Sequence, residues 1–263
     1  MEDIWEEIVA LRAKGESAAL ATVVSTTGST PREQGAKMLI RRDGSILGTV
    51  GGSLLEGQVR EEAKNVIREG EPKLLSFDLT GKKEDGMICG GKADVYIEPI
   101  LPLPALYIFG GGHISFSLAR IAKMVGFRVV VIDDRKEYAN PERFPEADET
   151  IADGYRNTFL QVVINEFSYI VIVTRAHAHD QTVLEWAITT NARYIGMIGS
   201  RKKIKTVFDN LVAKGTNKEK LERVHAPIGL DIKAESPEEI AVSIIAEIVK
   251  VRRSAISRGA PDS

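Results

Sequence analysis

Residues 106–133 read LYIFGGGHISFSLARIAKMVGFRVVVID. A short apolar run leads into three consecutive glycines, Gly110 to Gly112, and apolar residues then recur at the spacing of a helix. A second apolar run follows and ends at Asp133. The order of strand, glycine turn, helix, strand and acid predicts the opening βαβ unit of a dinucleotide-binding fold.

The glycines and the acid have separate physical roles in such a unit. Gly110 permits a tight turn out of the strand, and Gly112 lets the backbone approach a phosphate that faces the N–H groups of the helix at 113–125. Asp133 follows Gly110 at about the 20-residue spacing from which a carboxylate reaches a ribose hydroxyl. Ser115, at the third glycine position, is small enough for helix–strand packing. The motif favours a phosphate-binding turn over a bare tight turn, without identifying the nucleotide.

Apolar strands and amphipathic helices continue to alternate after Asp133. This alternation predicts an α/β domain with a Rossmann-like, doubly wound parallel sheet whose two faces are covered. The predicted strands are 129–132, 150–152, 169–174 and 194–198, and the predicted helices are 158–166, 180–190 and 203–213.

Polar residues follow four strands of this predicted sheet. The carboxyl ends of parallel strands meet at one edge, where ligands bind in open α/β sheets. The cofactor-binding residues that we predict at this edge are Gly110, Gly112, Asp133, Arg135, Thr174, His177, Asp180, Gly199 and Ser200. Their arrangement predicts a small-molecule site.

The loop that follows the strand at 169–174 allows more than one interpretation. His177 is a candidate catalytic or cofactor-contacting residue, and Asp180 is either a binding residue or the N-cap of the next helix. Two histidines two residues apart, His177 and His179, rarely converge on one metal ion, so we predict no metal site here. Ser200 is typical of an anion-binding helix start rather than of a nucleophile, because the sequence places no base beside it.

The first hundred residues predict a separate mixed α+β domain. The predicted elements are a helix at 3–13, a buried strand at 17–25, a hairpin of 37–41 and 46–50, a helix at 55–69, and strands at 74–79 and 93–97 that complete a mixed sheet.

Three loops of this domain contain groups that bind anions. Glycines beside Ser, Thr or Arg can form backbone nests, and an arginine adds charge-assisted hydrogen bonds. The residues concerned are Arg32, Gly51, Gly52, Gly90 and Gly91. Glu56, on the first turn of the following helix, is either a dipole-favoured helix start or a functional acid.

Cys89 is the single cysteine of the chain. A lone cysteine is commonly a small buried hydrophobe, and the functional alternative is a thiol that contacts a metal or a sulfur-bearing ligand. Without a second cysteine or a nearby histidine, Cys89 cannot form a zinc site by itself.

Composition excludes several functional classes. The chain has 263 residues, 43% of them hydrophobic and 27% charged, with a formal net charge of −2. Such a balance gives no general attraction to nucleic acid, and no apolar run is long enough for a membrane span. A single cysteine excludes an internal disulfide, and the acidic N-terminus lacks the features of a signal peptide. We therefore expect a cytoplasmic protein.

Proline and charge patterns suggest the domain boundaries. Three prolines between positions 99 and 104 predict a linker at 99–105, which separates a domain at 1–98 from the Rossmann-like domain at 106–251. Ser236 and Pro237 begin a final helix, and we predict a flexible tail at 252–263.

Taken together, these motifs resemble those of the XdhC/CoxI family of molybdenum-cofactor accessory proteins. The resemblance runs nearly end to end, and its order and spacing are specific although each motif alone is weak. Its first half rests on GSTPR at 28–32, on GTVGG at 48–52 with Glu56, and on CGG at 89–91. The second half adds GGGH at 110–113, Thr174 to Asp180, IGS at 198–200 and PIGLDI at 227–232, so that His113 and Asp231 join the predicted cofactor-binding residues.

The resemblance implies an N-terminal XdhC/CoxI domain followed by a Rossmann domain. It also implies a chaperone that binds molybdenum cofactor (molybdopterin), supports its sulfuration and delivers it to xanthine dehydrogenase or a related molybdenum hydroxylase. A cysteine desulfurase is the implied sulfur source, and we predict a homodimer. Many members have a cysteine where this chain has Ser53, so Cys89 is the only thiol left for a sulfur or molybdenum contact.

Two other functions are compatible with the same residues. A Rossmann edge with His177 as acid or base would suit an NAD(P)-dependent oxidoreductase, although the sequence lacks a paired catalytic constellation such as Ser with Tyr-x-x-x-Lys. A nucleotide-sensing module without chemistry is the third possibility. We favour a cofactor-binding maturation factor over a turnover enzyme.

Overall fold

The computed structural model describes residues 3–79 and 90–256. The chain divides after Pro102 into two compact units, and each has its own sheet and its own core.

The N-terminal unit is a five-stranded sheet with one helix against each face. Its elements are α1 (Ile4–Lys14), β1 (Ala18–Thr27), β2 (Lys37–Arg41), β3 (Ile46–Gly48), α2 (Ser53–Glu69), β4 (Lys73–Asp78) and β5 (Lys92–Ile100). The strand order is β3-β2-β1-β5-β4, and every pair is antiparallel. The sheet is therefore antiparallel, which corrects the predicted mixed sheet.

The central strand β1 is apolar on both sides because both faces of the sheet are covered. Ala19, Ala21 and Val23 pack with α2, whereas Ala18 and Leu20 pack in a separate cluster with α1. The small alanines let both helices lie close to the sheet.

The C-terminal unit is a six-stranded parallel sheet with helices on both faces. Its elements are β6 (Ala105–Phe109), α3 (His113–Met124), β7 (Arg128–Asp133), β8 (Glu149–Ala152), α4 (Tyr155–Thr158), β9 (Ser168–Ile172), α5 (His177–Ala187), β10 (Tyr194–Met197), α6 (Arg201–Ala213), α7 (Lys218–Glu222), β11 (Val224–His225) and α8 (Pro237–Ile256).

The strand order of this sheet confirms the doubly wound fold. The order is β11-β10-β9-β6-β7-β8, with parallel pairing throughout. Strands β7 and β8 lie on one side of β6, whereas β9, β10 and β11 lie on its other side. The strand order therefore reverses at β6. Sheets of this kind bind ligands in the crevice at such a reversal. Successive β6 residues enter different cores: Leu106 and Ile108 face the cluster with α3 and α8, and Tyr107 and Phe109 face the cluster with α5 and α6.

Several predicted boundaries differ from the structure, among them that of the helix predicted at 180–190, which spans His177–Ala187 as α5. The helix predicted at 158–166 is wrong, since α4 covers only Tyr155–Thr158. After Thr158 the chain is held by contacts other than a helix: the half-buried Phe159 stacks on Trp186 at 4.3 Å between ring centroids, and the Val163 carbonyl accepts a hydrogen bond from the Tyr107 hydroxyl. The side chains of Leu160 and Val163 are exposed.

The predicted linker and tail also begin too early. Strand β5 continues through Pro99 to Ile100, which pairs with Ala18. Helix α8 continues to Ile256, beyond the predicted start of the tail, because the Arg252 guanidinium packs over the Phe127 ring at 4.7 Å and donates to the Val125 carbonyl. Residues 257–263 lie outside the described part of the chain.

Candidate functional site

The glycine turn after β6 is built around close backbone contacts. A Cβ atom on Gly110 would lie 2.3 Å from the Val173 carbonyl oxygen, and one on Gly111 would lie 2.0 Å from the Tyr138 carbonyl oxygen. Glycine is therefore required at both positions. We predicted the role of Gly110 but missed that of Gly111, because its contact comes from a loop far away in sequence.

Gly112 differs from its two neighbours because nothing lies within 4 Å of the place its Cβ would occupy. It is the N-cap residue of α3, and no side chain caps this helix end. The first turn of α3, with an exposed His113, thus presents N–H groups beside open space. Such a helix end can receive a phosphate or another anion.

Asp133 ends β7 and is almost fully buried, with 1% of its surface exposed. Its Oδ2 accepts a hydrogen bond from the Gly111 N–H at 2.8 Å, and its Oδ1 accepts one from Arg135 Nε at 2.9 Å. Burial raises the pKa of this carboxyl, but the hydrogen bonds from Arg135 and Gly111 outweigh burial and lower it. Asp133 therefore holds the glycine turn in place, and its contact with a ribose stays a prediction.

Two arginines lie next to this turn. The Arg135 guanidinium lies 3.5 Å from the centroid of the Tyr138 ring, where the ring face stabilises the cation. Arg143 donates from Nε to the Gly111 carbonyl at 3.1 Å. We predicted Arg135 but missed Arg143, which lies in an irregular segment without a motif.

A second acidic group was also missed. Asp134 accepts a hydrogen bond from Arg175 at 2.7 Å through Oδ2, and His179 Nε2 lies 3.8 Å from the same oxygen. Within residues 3–79 and 90–256, neither Asp134 Oδ1 nor the hydroxyl of the buried Tyr155 has a hydrogen-bond partner. These two polar atoms mark a place near the sheet edge where a ligand could supply hydrogen bonds.

Asp180 is a completely buried residue in the first turn of α5. One carboxylate oxygen accepts hydrogen bonds from the Thr174 N–H at 3.2 Å and from the Thr174 hydroxyl at 2.7 Å, and the other oxygen contacts the Lys203 ammonium. The N-cap position of α5 is Ala176, so the interpretation of Asp180 as the N-cap is wrong. Asp180 and Thr174 instead connect this loop to α6 through Lys203, which we did not predict.

His177 and Ser200 line one cavity of about 470 Å³. His177 is the exposed first residue of α5, and Ser200 is the N-cap of α6, whose hydroxyl oxygen accepts a hydrogen bond from the Lys203 N–H at 3.3 Å. Lys202 and Lys203 line the same cavity. Lys203 is already paired with Asp180, so the starts of two helices and the Lys202 ammonium are the groups that favour an anion here.

Asp231 lies outside this cavity, in the segment before α8. It is exposed and pairs with Lys233 at 3.0 Å. Hydrogen bonds from Lys233, with a smaller effect of the nearby Arg201 charge, lower the pKa of Asp231. Arg201 begins α6, next to Ser200, so Asp231 lies near the start of that helix. Its predicted contact with a cofactor stays a prediction.

The predicted loops of the N-terminal unit partly come together. Gly91 packs against the loop at 27–29, since a Cβ there would lie 2.4 Å from the Ser29 carbonyl oxygen. Gly52 is the N-cap of α2, and Glu56 accepts a hydrogen bond from the Thr49 hydroxyl, which gives this acid a structural role. Arg32 is exposed. The roles predicted for Arg32, Gly51, Gly52, Gly90 and Gly91 stay predictions, and Cys89 lies outside the described residues.

Residues 3–79 and 90–256 contain no group of three or more His, Cys, Asp or Glu residues that could hold a metal ion. No helix in these ranges is long and apolar enough to cross a lipid bilayer.

Comparison with known proteins identifies the family. Residues 106–248 match the family model described as the XdhC Rossmann domain, and residues 11–78 match the one described as the XdhC and CoxI family. The chain belongs to the XdhC/CoxI family. The resemblance inferred from the motifs is therefore confirmed.

Three curated proteins are similar in sequence to this XdhC/CoxI chain. The uncharacterized protein YqeB of Escherichia coli K12 is 34% identical over 96% of this chain and 47% of its own length. A probable xanthine dehydrogenase subunit from Bacillus subtilis 168 is 34% identical over 61% of this chain and 46% of its own length. The molybdenum cofactor insertion chaperone PaoD of Escherichia coli K12 is 23% identical over 90% of this chain and 84% of its own length. The chain thus spans just under half the length of the first two relatives.

A solved structure has the same fold as this XdhC/CoxI chain. The crystal structure of a xanthine dehydrogenase from Bacillus halodurans covers 97% of both chains with a TM-score of 0.54 at 23% identity. At this identity, the likeness supports the fold of the chain and not a shared activity.

Proposed function

We propose that this XdhC/CoxI chain is an accessory protein that binds molybdenum cofactor and delivers it to xanthine dehydrogenase or a related molybdenum hydroxylase. The observation that carries the proposal is the open end of α3 at Gly112, beside the crevice where the strand order reverses. The relatives support the choice of cofactor, because one is named a molybdenum cofactor insertion chaperone and another is named as part of a probable xanthine dehydrogenase.

The residues at this edge fit an anionic pterin. The N–H groups of the first turn of α3 would hold its phosphate, and the cavity at Ser200 and Lys202 offers a second place for negative charge. Tyr155 and Asp134 offer a hydroxyl and a carboxylate oxygen, both without hydrogen-bond partners among the described residues, to the polar ring edges of a pterin. When bound, the cofactor supplies the molybdenum chemistry, and the chain positions and shields it.

Sulfuration is a further part of the proposal. The chain would hold the cofactor while it is sulfurated, with a cysteine desulfurase as the sulfur source and Cys89 as the thiol that contacts sulfur or molybdenum. This part rests on the family and on Cys89 being the only cysteine. The Cys89→Ala chain should retain less cofactor than the unmodified chain. The homodimer stays a prediction.

The proposal is tested by a matched pair of Gly→Ala substitutions. Gly112→Ala places a methyl group in the open space at the start of α3, whereas Gly57→Ala adds one on α2, where nothing lies within 4 Å either. We expect Gly112→Ala to weaken retention of molybdenum cofactor by on the order of tenfold, with an unchanged urea midpoint. Gly57→Ala should retain the cofactor fully. The measurement is molybdenum and pterin content after anaerobic incubation and gel filtration.

The same experiment distinguishes this proposal from the alternative of an NAD(P)-dependent oxidoreductase. If the unmodified chain retains no molybdenum cofactor, the proposal is wrong. Saturable binding of NAD⁺ or NADP⁺ that Gly112→Ala abolishes, with a substrate-dependent change in nicotinamide absorbance, would support the oxidoreductase instead.

A further inference from the structure

A second cavity of the C-terminal unit lies next to the edge strand β11. Its volume is about 450 Å³, which is within the range of small-molecule sites. Its lining includes Arg193, His225, Leu230, Glu247 and Lys250. It shares no lining residue with the cavity at Ser200, and none of the predicted cofactor-binding residues lines it.

Glu247 of α8 is held as an anion in the wall of this cavity. Its Oε2 accepts hydrogen bonds from the Tyr194 hydroxyl at 2.5 Å and from the Gly229 N–H at 3.0 Å. Its Oε1 lies 3.2 Å from His225 Nδ1. Burial raises the pKa of Glu247, but hydrogen bonds from His225, Tyr194 and Gly229 outweigh burial and lower it. The protein itself thus satisfies this carboxylate.

His225 is held in a fixed orientation by the same group. The Tyr194 ring stacks on the imidazole at 4.6 Å between centroids, and Nδ1 faces Glu247. Nε2 makes no hydrogen bond within the described residues, and 34% of the side chain is exposed. Because Glu247 occupies Nδ1, Nε2 is the imidazole nitrogen that remains to contact a ligand in the cavity.

The charges around His225 favour an anionic ligand. Lys250 follows Glu247 by one helical turn, is exposed, and has no ion pair among the residues that the structure describes. Arg193 adds a second cation, anchored by a 2.8 Å hydrogen bond from Nε to the Glu166 carbonyl. Because the one carboxylate of the lining is already satisfied, the cavity offers cations without a competing free anion.

Apolar side chains complete the lining. Leu230 and Val251 belong to the same cavity wall and provide a surface for an apolar group. We infer that this cavity binds a small organic acid, with its carboxylate on His225 and Lys250 and its apolar body against Leu230 and Val251.

Benzoate is a suitable probe because it joins one carboxylate to an apolar ring. The full chain, labelled with ¹⁵N at its four histidines, is titrated with benzoate and followed by NMR. The His225 resonances are assigned through His225→Gln. We expect saturable binding with a Kd below about 1 mM and a shift of the His225 Nε2 signal.

Two lysine variants distinguish a ligand site from a purely structural network. Lys250→Gln removes a cation that the Tyr194, Glu247 and His225 network does not use, and we expect it to weaken benzoate binding by on the order of fivefold. Lys218→Gln removes an equal charge from an exposed position on α7 and should leave binding unchanged.

Three results would overturn the inference. The first is an absence of benzoate binding by the unmodified chain up to about 10 mM. The second is an equal affinity of the Lys250→Gln and Lys218→Gln chains. The third is tighter binding of inorganic phosphate than of benzoate, since phosphate has no apolar body. If His225→Gln fails to fold, the lysine pair still decides the result.

Discussion

At the scale of single residues, Asp133 combines a predicted functional position with a structural role. Its spacing from the glycines predicts a ligand contact, yet both oxygens accept hydrogen bonds from Gly111 and Arg135. The same carboxylate therefore fixes the turn that exposes the start of α3. Changing this side chain should affect stability as well as ligand binding.

Asp133→Asn should remove a pH-dependent part of the stability. Because folding lowers the pKa of Asp133, its ionised form stabilises the fold above the unfolded pKa of about 4, and this contribution is lost as the pH falls through the folded pKa. We expect the variant to lose about 2 kcal/mol of unfolding free energy at pH 7. The difference from the unmodified chain should shrink on acidification below about pH 4. Urea unfolding between pH 7 and pH 3 measures both effects.

An exposed aspartate serves as the control. Asp209 pairs with Lys205 at 2.6 Å on the surface of α6, where ion pairs contribute little. Asp209→Asn should therefore leave the unfolding free energy almost unchanged at both pH values. Equal stability of Asp133→Asn and the unmodified chain at pH 7 would contradict the role given to Asp133.

At the scale of elements, α5 and α6 are joined by a buried ion pair. Asp180 is fully buried, and Lys203 supplies the charge that compensates it. The sequence predicts both helices, but it does not indicate that these two side chains meet. The pair also keeps His177 and Ser200 at one cavity, so it connects packing to the candidate site.

Lys203→Ala should be strongly destabilising because it leaves a buried carboxylate without its cation. We expect a loss of about 3 kcal/mol in unfolding free energy, measured by urea denaturation at pH 7. Lys202→Ala removes an exposed charge one residue away and should cost far less. Adding Asp180→Asn to Lys203→Ala should recover part of the loss. If Lys203→Ala lowers the unfolding free energy no more than Lys202→Ala does, the ion pair of Asp180 and Lys203 does not stabilise the fold.

At the scale of the whole molecule, each unit has its own sheet and core. The Rossmann unit begins with Ala105, which pairs with Arg128 and Ser168, and it ends with the last turns of α8, where Arg252 packs on Phe127. The boundaries predicted from prolines and charge, 106 and 251, omit both contacts.

A fragment of residues 103–256 should fold without the N-terminal unit. Its sheet and both of its core clusters lie inside that range, so we expect cooperative urea unfolding and the helical circular dichroism of a Rossmann fold. A fragment of residues 106–251 should be less stable by about 1 to 2 kcal/mol, because it lacks Ala105 and Arg252. Non-cooperative unfolding of 103–256, or equal stability of the two fragments, would contradict this account.

The sequence by itself determined most of the elements, the glycine turn at Gly110 and the family, because periodicity and local motifs depend on neighbours along the chain. It failed at 158–166, where contacts with Tyr107 and Trp186 outweigh the local helical pattern. Only the tertiary structure showed why Gly111 must be glycine, why Arg175 faces Asp134 and how Lys203 compensates Asp180. The partners in these contacts come from different loops and helix starts, and they meet because the order of the parallel strands brings those segments to one edge of the sheet.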